Sequence, residues 1–346
     1  MSEEEYKELN YYLNEACLYL KTQDVFFLNN ISNICYINDQ LNSFFKDYNF
    51  QSEFKENHLT YQDVYNLARE IIESINSDYL EDFDKLIENG QLDFGYEGEY
   101  EDSVFVHEQK DSNIYNYINI KREFNYSDVG SLVHEFIHYT NGKNNNTIKR
   151  RILTEFLSIY YENYAIDYLI DKGIPKEEID YTIRLKSTCA RTYNFYNYES
   201  PFICFIEFGE VSDKSYEMLK EYYYPIEKNN FNKECYLLLR YFQNKKKEYM
   251  KELLPKEKVD QIELRKSYGI DYSLHCRYVL GTMLAFYARK NCKKEDILYL
   301  NEHLNIEDED IVDCLEKVGI YVNEDFLNIA FDSIIDYIKD YDIKKR

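Results

Sequence analysis

The stretch YSDVGSLVHEFIHYTNG carries His134, Glu135 and His138 within five residues. On a helix His134 and His138 stand at i and i+4, so both imidazoles leave the same face at a spacing that can chelate one tetrahedral zinc ion. Glu135 points about 100° away, outside the ligand set but within reach of a metal-bound water, where a carboxylate serves as general base. The competing reading is a helix whose histidines merely pack into a core. Against it, H-E-x-x-H arises by chance in about one chain in a hundred of this composition. Leu132, Val133, Phe136 and Ile137 also surround the motif with apolar surface, where the charge of Glu135 is costly without a partner.

A catalytic zinc takes three protein ligands and keeps one position open. The pattern with a third histidine six residues after the second fails here, because Asn141 and Asn144 stand where it needs glycine and histidine. The next helical run, IKRRILTEFLSIYYENYAIDYLI, is apolar nearly all round except for Glu155, Ser158 and Glu162. Positions i, i+3 and i+7 share one face. Two buried carboxylates there need cations or donors, and a metal on His134 and His138 supplies one. Pairing with Arg150, Arg151 or Arg191 is the alternative.

These residues must be held by regular elements. The spacing predicts a helix over 128–140, started by Ser127 or Asp128 and stopped by Asn141-Gly142. Upstream, LTYQDVYNLAREIIESINSDYLEDFDKLIENG reads as two helices, the first capped by Thr60 and the second closed by Asn89-Gly90. Between these blocks SVFVH and YNYINI suggest two or three short strands, the one β signal in the chain. Ten glycines and four prolines in 346 residues leave little punctuation, which favours a mainly α protein with a small β-sheet beside the metal helix. Loops are expected near 142–147, 173–176, 198–201, 225–230 and 255. An N-terminal helical segment, 1–58, and a catalytic region, 59–346, are expected to form one continuous unit.

The run YINIKREFNYSDVGSLVHEFIHYTNG followed by LTEFLSIYYENYA resembles the thimet oligopeptidase and oligoendopeptidase F family of zinc metallopeptidases. There a strand, a turn, an Asp-Val pair and an H-E-x-G-H helix precede a helix carrying E-x-x-S-x-x-x-E. The resemblance implies a helical, zincin-like fold and one Zn2+ per chain. It makes Glu155 the third zinc ligand and places Glu162 behind the ligands. YSLHCRYVLGTMLAFYARK is similar to the family's tyrosine-rich segment, whose hydroxyls and histidine face the scissile carbonyl. By that match His275 or Tyr278, with Tyr272 as a further substrate-binding candidate, stabilises the oxyanion; ordinary helix packing is the alternative for all three. The likeness spans roughly residues 59–290. Ile137 stands where the family has glycine, Cys276 and His275 where it often has tyrosines, and Tyr268 where it has a histidine.

Lys and Arg number 41 against 64 Asp and Glu, a formal charge of −23. Such a surface repels phosphates and anionic lipid, which argues against nucleic-acid and membrane partners. The eight cysteines are scattered without a CxxC pair, which suits reduced, buried thiols. The start MSEEEYKELNYY has no basic region before an apolar core, and no apolar run approaches the roughly 20 residues that span a bilayer, so a cytoplasmic protein is expected. The sequence thus points to a zinc endopeptidase acting on oligopeptides. In it His134, His138 and Glu155 hold the metal and Glu135 activates its water. The alternative is a non-catalytic helical binding protein that retains a structural zinc site. A peptidase dedicated to one folded partner shares the same residues. The strand YNYINI either takes a peptide substrate as an added β-strand or is buried in its sheet.

Overall fold

The computed structural model describes residues 58–95, 103–110, 113–141, 148–179, 278, 280–303 and 311–341. The chain divides into two compact units, residues 1–44 with 190–279 and residues 45–189 with 280–346. Tyr278 aside, every described residue belongs to the second unit, which is mainly α with one small sheet.

Helix α1 (Tyr61–Ile75) starts in a capping box. The Thr60 hydroxyl oxygen accepts the Asp63 N–H and the Asp63 carboxylate accepts the Thr60 N–H at 2.9 Å, so two donors without helical partners are satisfied. Its Val64, Ala68, Ile71, Ile72 and Ile75 recur at helical spacing and are buried. Helix α2 (Leu80–Glu88) ends at Asn89. Gly90 follows at φ 63°, the left-handed stop that glycine adopts without a Cβ penalty.

Three strands follow: β1 (Leu92–Asp93), β2 (Val104–Lys110) and β3 (Asn113–Asn119), in the spatial order β1-β3-β2. β2 runs antiparallel to β3 from Val104 opposite Asn119 to Lys110 opposite Asn113, and β1 lies parallel to β3 at Ile118 and Asn119. The YNYINI strand is therefore the central one. Ile118 and Ile120 at its end are fully buried, and β1 and β2 form the two edges of the sheet.

The motif helix α3 (Ser127–Asn141) has a start that differs from the expectation. Asn125, not Ser127 or Asp128, provides the accepting side chain, taking the Ser127 N–H at 2.7 Å. Asp128 turns backwards instead. Its carboxylate accepts the N–H groups of Glu123 and Phe124 at 2.9 and 3.1 Å and lies 3.2 Å from Nη1 of Arg122. Phe124 is held at φ 56°, a left-handed conformation unfavourable for an aromatic residue. The Arg122 guanidinium is buried between the rings of Tyr61, Phe94 and Phe124 and donates to the Leu59 carbonyl at 2.9 Å. This latch fixes the start of α3 against β3 and the amino end of α1.

At the other end α3 runs to Asn141, and the stop expected at Gly142 lies outside the described residues. The Asn141 side-chain amide donates to the Ile137 carbonyl and to Asn301, which in turn donates to the Tyr79 hydroxyl at 2.8 Å. Helix α4 (Ile148–Asp171) is long and apolar on most sides, with Phe156, Leu157, Tyr161, Ala165 and Leu169 buried, and ends in a turn at Gly173. Helix α5 (residues 280–291), α6 (Lys294–His303), α7 (Ile311–Lys317) and α8 (Glu324–Tyr341) complete the unit. The loops expected near 142–147, 198–201, 225–230 and 255 lie outside the described residues. None of the described helices is long and apolar enough to cross a membrane.

Candidate metal centre

α3 and α4 pack along much of their lengths, and the apolar residues between them decide which polar faces meet. Leu132, Val133, Phe136 and Ile137 from α3 and Phe156, Leu157 and Tyr161 from α4 are all buried. Phe136 packs edge-on against Phe83 with ring centres 5.0 Å apart. With these side chains in the core, His134 and His138 are left facing Glu155 and Glu162.

The two imidazoles approach closely, Nε2 to Nε2 at 3.1 Å. Glu155 closes the triangle, with Oε1 3.8 Å from Nε2 of His134 and Oε2 3.5 Å from Nε2 of His138. One ligand atom from each of the three residues lies within 4.8 Å of the others. Zn–N and Zn–O bonds of about 2.0–2.1 Å at tetrahedral angles put neighbouring ligand atoms about 3.3 Å apart. The observed separations bracket that figure, so the donor set fits one small divalent cation in both chemistry and span.

Glu162 stands about two helical turns beyond Glu155, and its Oε2 lies 2.7 Å from Nδ1 of His134. A carboxylate can only accept, so Nδ1 carries the proton and the neutral ring presents its Nε2 lone pair to the cluster. Ser158 lies buried between the two glutamates in sequence, completing the polar stripe. All three cluster carboxylates are buried: Glu155 is 1% exposed and Glu135 and Glu162 are each 8% exposed.

Glu135 leaves α3 on another side, toward the sheet. Its Oε2 accepts the backbone N–H of Phe105 at 2.7 Å, and the Phe105 ring meets Tyr139 edge-on at 5.9 Å. The N–H of Phe105 is thus directed away from β3. Antiparallel alternation then sets the backbone N–H and C=O groups of Phe105, His107 and Gln109 along the open edge of β2.

The structure therefore brings His134, His138 and Glu155 together, with Glu162 behind His134 and Glu135 beside them on α3. Tyr278 is described only as a half-buried helical residue of the other unit, and His275 and Tyr272 lie outside the described residues. Sequence reasoning missed the Phe105 N–H, a backbone group with no residue signature, although the strand that carries it is legible in SVFVH. Comparison of the chain with protein-family models, with characterised proteins and with solved structures finds no match.

Proposed function

We propose that the protein is a zinc-dependent endopeptidase that hydrolyses peptide bonds in oligopeptides, with a helical zincin-like arrangement in which the small sheet flanks the metal helix. The observation that carries this reading is the convergence of His134, His138 and Glu155 within 4.8 Å, with the buried Glu135 next to His134 on the same helix and bonded to a strand N–H. A zinc ion on these three residues would supply a Lewis acid that polarises a carbonyl and lowers the pKa of a water toward about 7.

The chain's own groups divide the remaining work. Glu162 keeps the proton of His134 on Nδ1, so Nε2 remains a donor of electrons to the metal site. Glu135 takes a proton from the attacking water on its carboxylate and passes it to the departing amine nitrogen. The Phe105 N–H fixes that carboxylate in one orientation and lowers the cost of its charge while it waits. The open edge of β2 pairs with an extended peptide through the outward N–H and C=O groups of His107 and Gln109 and the C=O of Phe105, as an added strand. A structural zinc site has no use for a buried carboxylate in the Glu135 position, which favours catalysis over mere stabilisation.

The test is a peptide-library digest of the parent and of Glu135→Gln, with the zinc content of each measured. About one zinc per chain is expected in both proteins, with cleavage of unstructured peptides by the parent alone. Cleavage that survives in Glu135→Gln, or in the parent under excess chelator, would falsify the assignment.

A further inference from the structure

Within the apolar run VLGTMLAF the single glycine, Gly281, is the second residue of α5. Its neighbours Leu280, Thr282, Met283 and Leu284 are all buried, so α5 is pressed against the core on this side. A methyl group on Gly281 would stand 3.0 Å from the backbone nitrogen of Phe156, 3.1 Å from Cγ of Glu155 and 3.2 Å from the carbonyl carbon of Glu155. Two of those atoms are backbone in a buried helix and cannot yield cheaply. The third is one bond from the carboxyl carbon that faces the imidazoles.

We propose that Gly281 is a positioning residue for Glu155: its bare Cα forms the wall that confines the Glu155 side chain, and the size of residue 281 sets the affinity of the site for its metal. A cation requires its ligand distances to within about 0.2 Å, so displacing Glu155 Cγ by a few tenths of an ångström is enough to spoil the triangle. This inference rests on the reading of Glu155 as the third ligand.

The experiment titrates metal-free protein with Co2+, following its visible absorption, with Zn2+ competition for affinity. Four proteins are compared: the parent, Gly281→Ala, Glu155→Ala and the double variant, each checked for folding by circular dichroism. Gly281→Ala is expected to bind Co2+ at least tenfold more weakly than the parent, with an altered absorption band, while remaining folded. In the Glu155→Ala background, where no Cγ remains to be displaced, the same substitution is expected to change Co2+ affinity by less than about twofold. Parent-like affinity and spectrum in Gly281→Ala would overturn the inference, as would equal weakening in both backgrounds. Loss of folding in Gly281→Ala and in the double variant alike would also overturn it, because the contact would then support the helix crossing rather than the ligand. If the parent binds no Co2+, or Glu155→Ala binds as the parent does, the ligand reading itself fails. If those two controls behave as expected and Gly281→Ala is silent, only the present inference fails.

Discussion

Glu162 accepts the Nδ1 proton of His134 across 2.7 Å, although the two residues are 28 positions apart and belong to different helices. His134 is carried by α3 and Glu162 by α4. The hydrogen bond therefore reports whether the two helices are in register at the metal site.

Replacing Glu162 by Ala should lower zinc affinity by about 10- to 100-fold, the usual cost of losing a carboxylate behind a ligating histidine. Glu162→Gln, which still offers an accepting oxygen, should lose less. Competition with a chromophoric chelator measures both. Equal affinity in parent and Glu162→Ala would show that His134 needs no such support.

Phe105→Pro removes the N–H that Glu135 accepts from β2 while leaving the strand intact, since the affected donor points away from β3 and proline is tolerated on an open edge. Peptide cleavage should fall by about tenfold or more, the equivalent of one charge-assisted hydrogen bond of about 1.5–3 kcal/mol. Zinc affinity should remain within about twofold of the parent, because the ligands are untouched. A parallel fall in both quantities would mean that the strand supports the cluster as a whole.

Metal removal should be felt in stability as well as in activity. Zinc at a thousandfold excess over its dissociation constant stabilises a protein that binds it only when folded by about 4 kcal/mol. Thermal unfolding of chelator-treated protein, titrated with Zn2+, should show a midpoint rising with zinc and a far smaller rise in Glu155→Ala. A midpoint indifferent to zinc would contradict the proposed site.

The latch at the start of α3 gives a pH-dependent prediction. Burial pushes the Asp128 carboxyl up to about 6, outweighing the lowering by the Glu123 N–H, the Arg122 charge and the Phe124 N–H. A carboxyl whose pKa is raised on folding contributes stability fully present below its ordinary 3.8 and lost as pH rises through about 6. The stability advantage of the parent over Asp128→Asn should therefore narrow between about pH 4 and pH 7, measured by urea unfolding at each pH. Asp128→Ala should cost about 3–5 kcal/mol near neutrality, since it leaves the Arg122 charge buried without its carboxylate. An advantage that widens with pH would show that the ion pair outweighs its desolvation.

Much of the local structure is written into residue types. Thr60 with Asp63, and Asn89 with Gly90, bound their helices as capping chemistry demands, because those hydrogen bonds close within four residues. The same holds for the i, i+4 histidines, and for the polar stripe of Glu155, Ser158 and Glu162 on an otherwise apolar helix. The start of α3 departs from its local signals for a specific reason. Ser127 and Asp128 are both good caps locally, but Arg122, buried by the folding of the sheet, draws Asp128 back toward residues 122–124 and leaves the capping position to Asn125.

What the sequence determined by itself, then, was each half of the site: a helix with two imidazoles on one face, and a second helix with two carboxylates on one face, because a period of 3.6 residues is a local property. Only the tertiary structure decided that the two faces oppose each other, that β3 lies between β1 and β2, and that the Phe105 N–H of β2 reaches Glu135. Those relationships depend on how buried side chains such as Phe136 and Phe156 fill the space between elements. That filling is a sum over many distant contacts, and no short stretch of chain contains it.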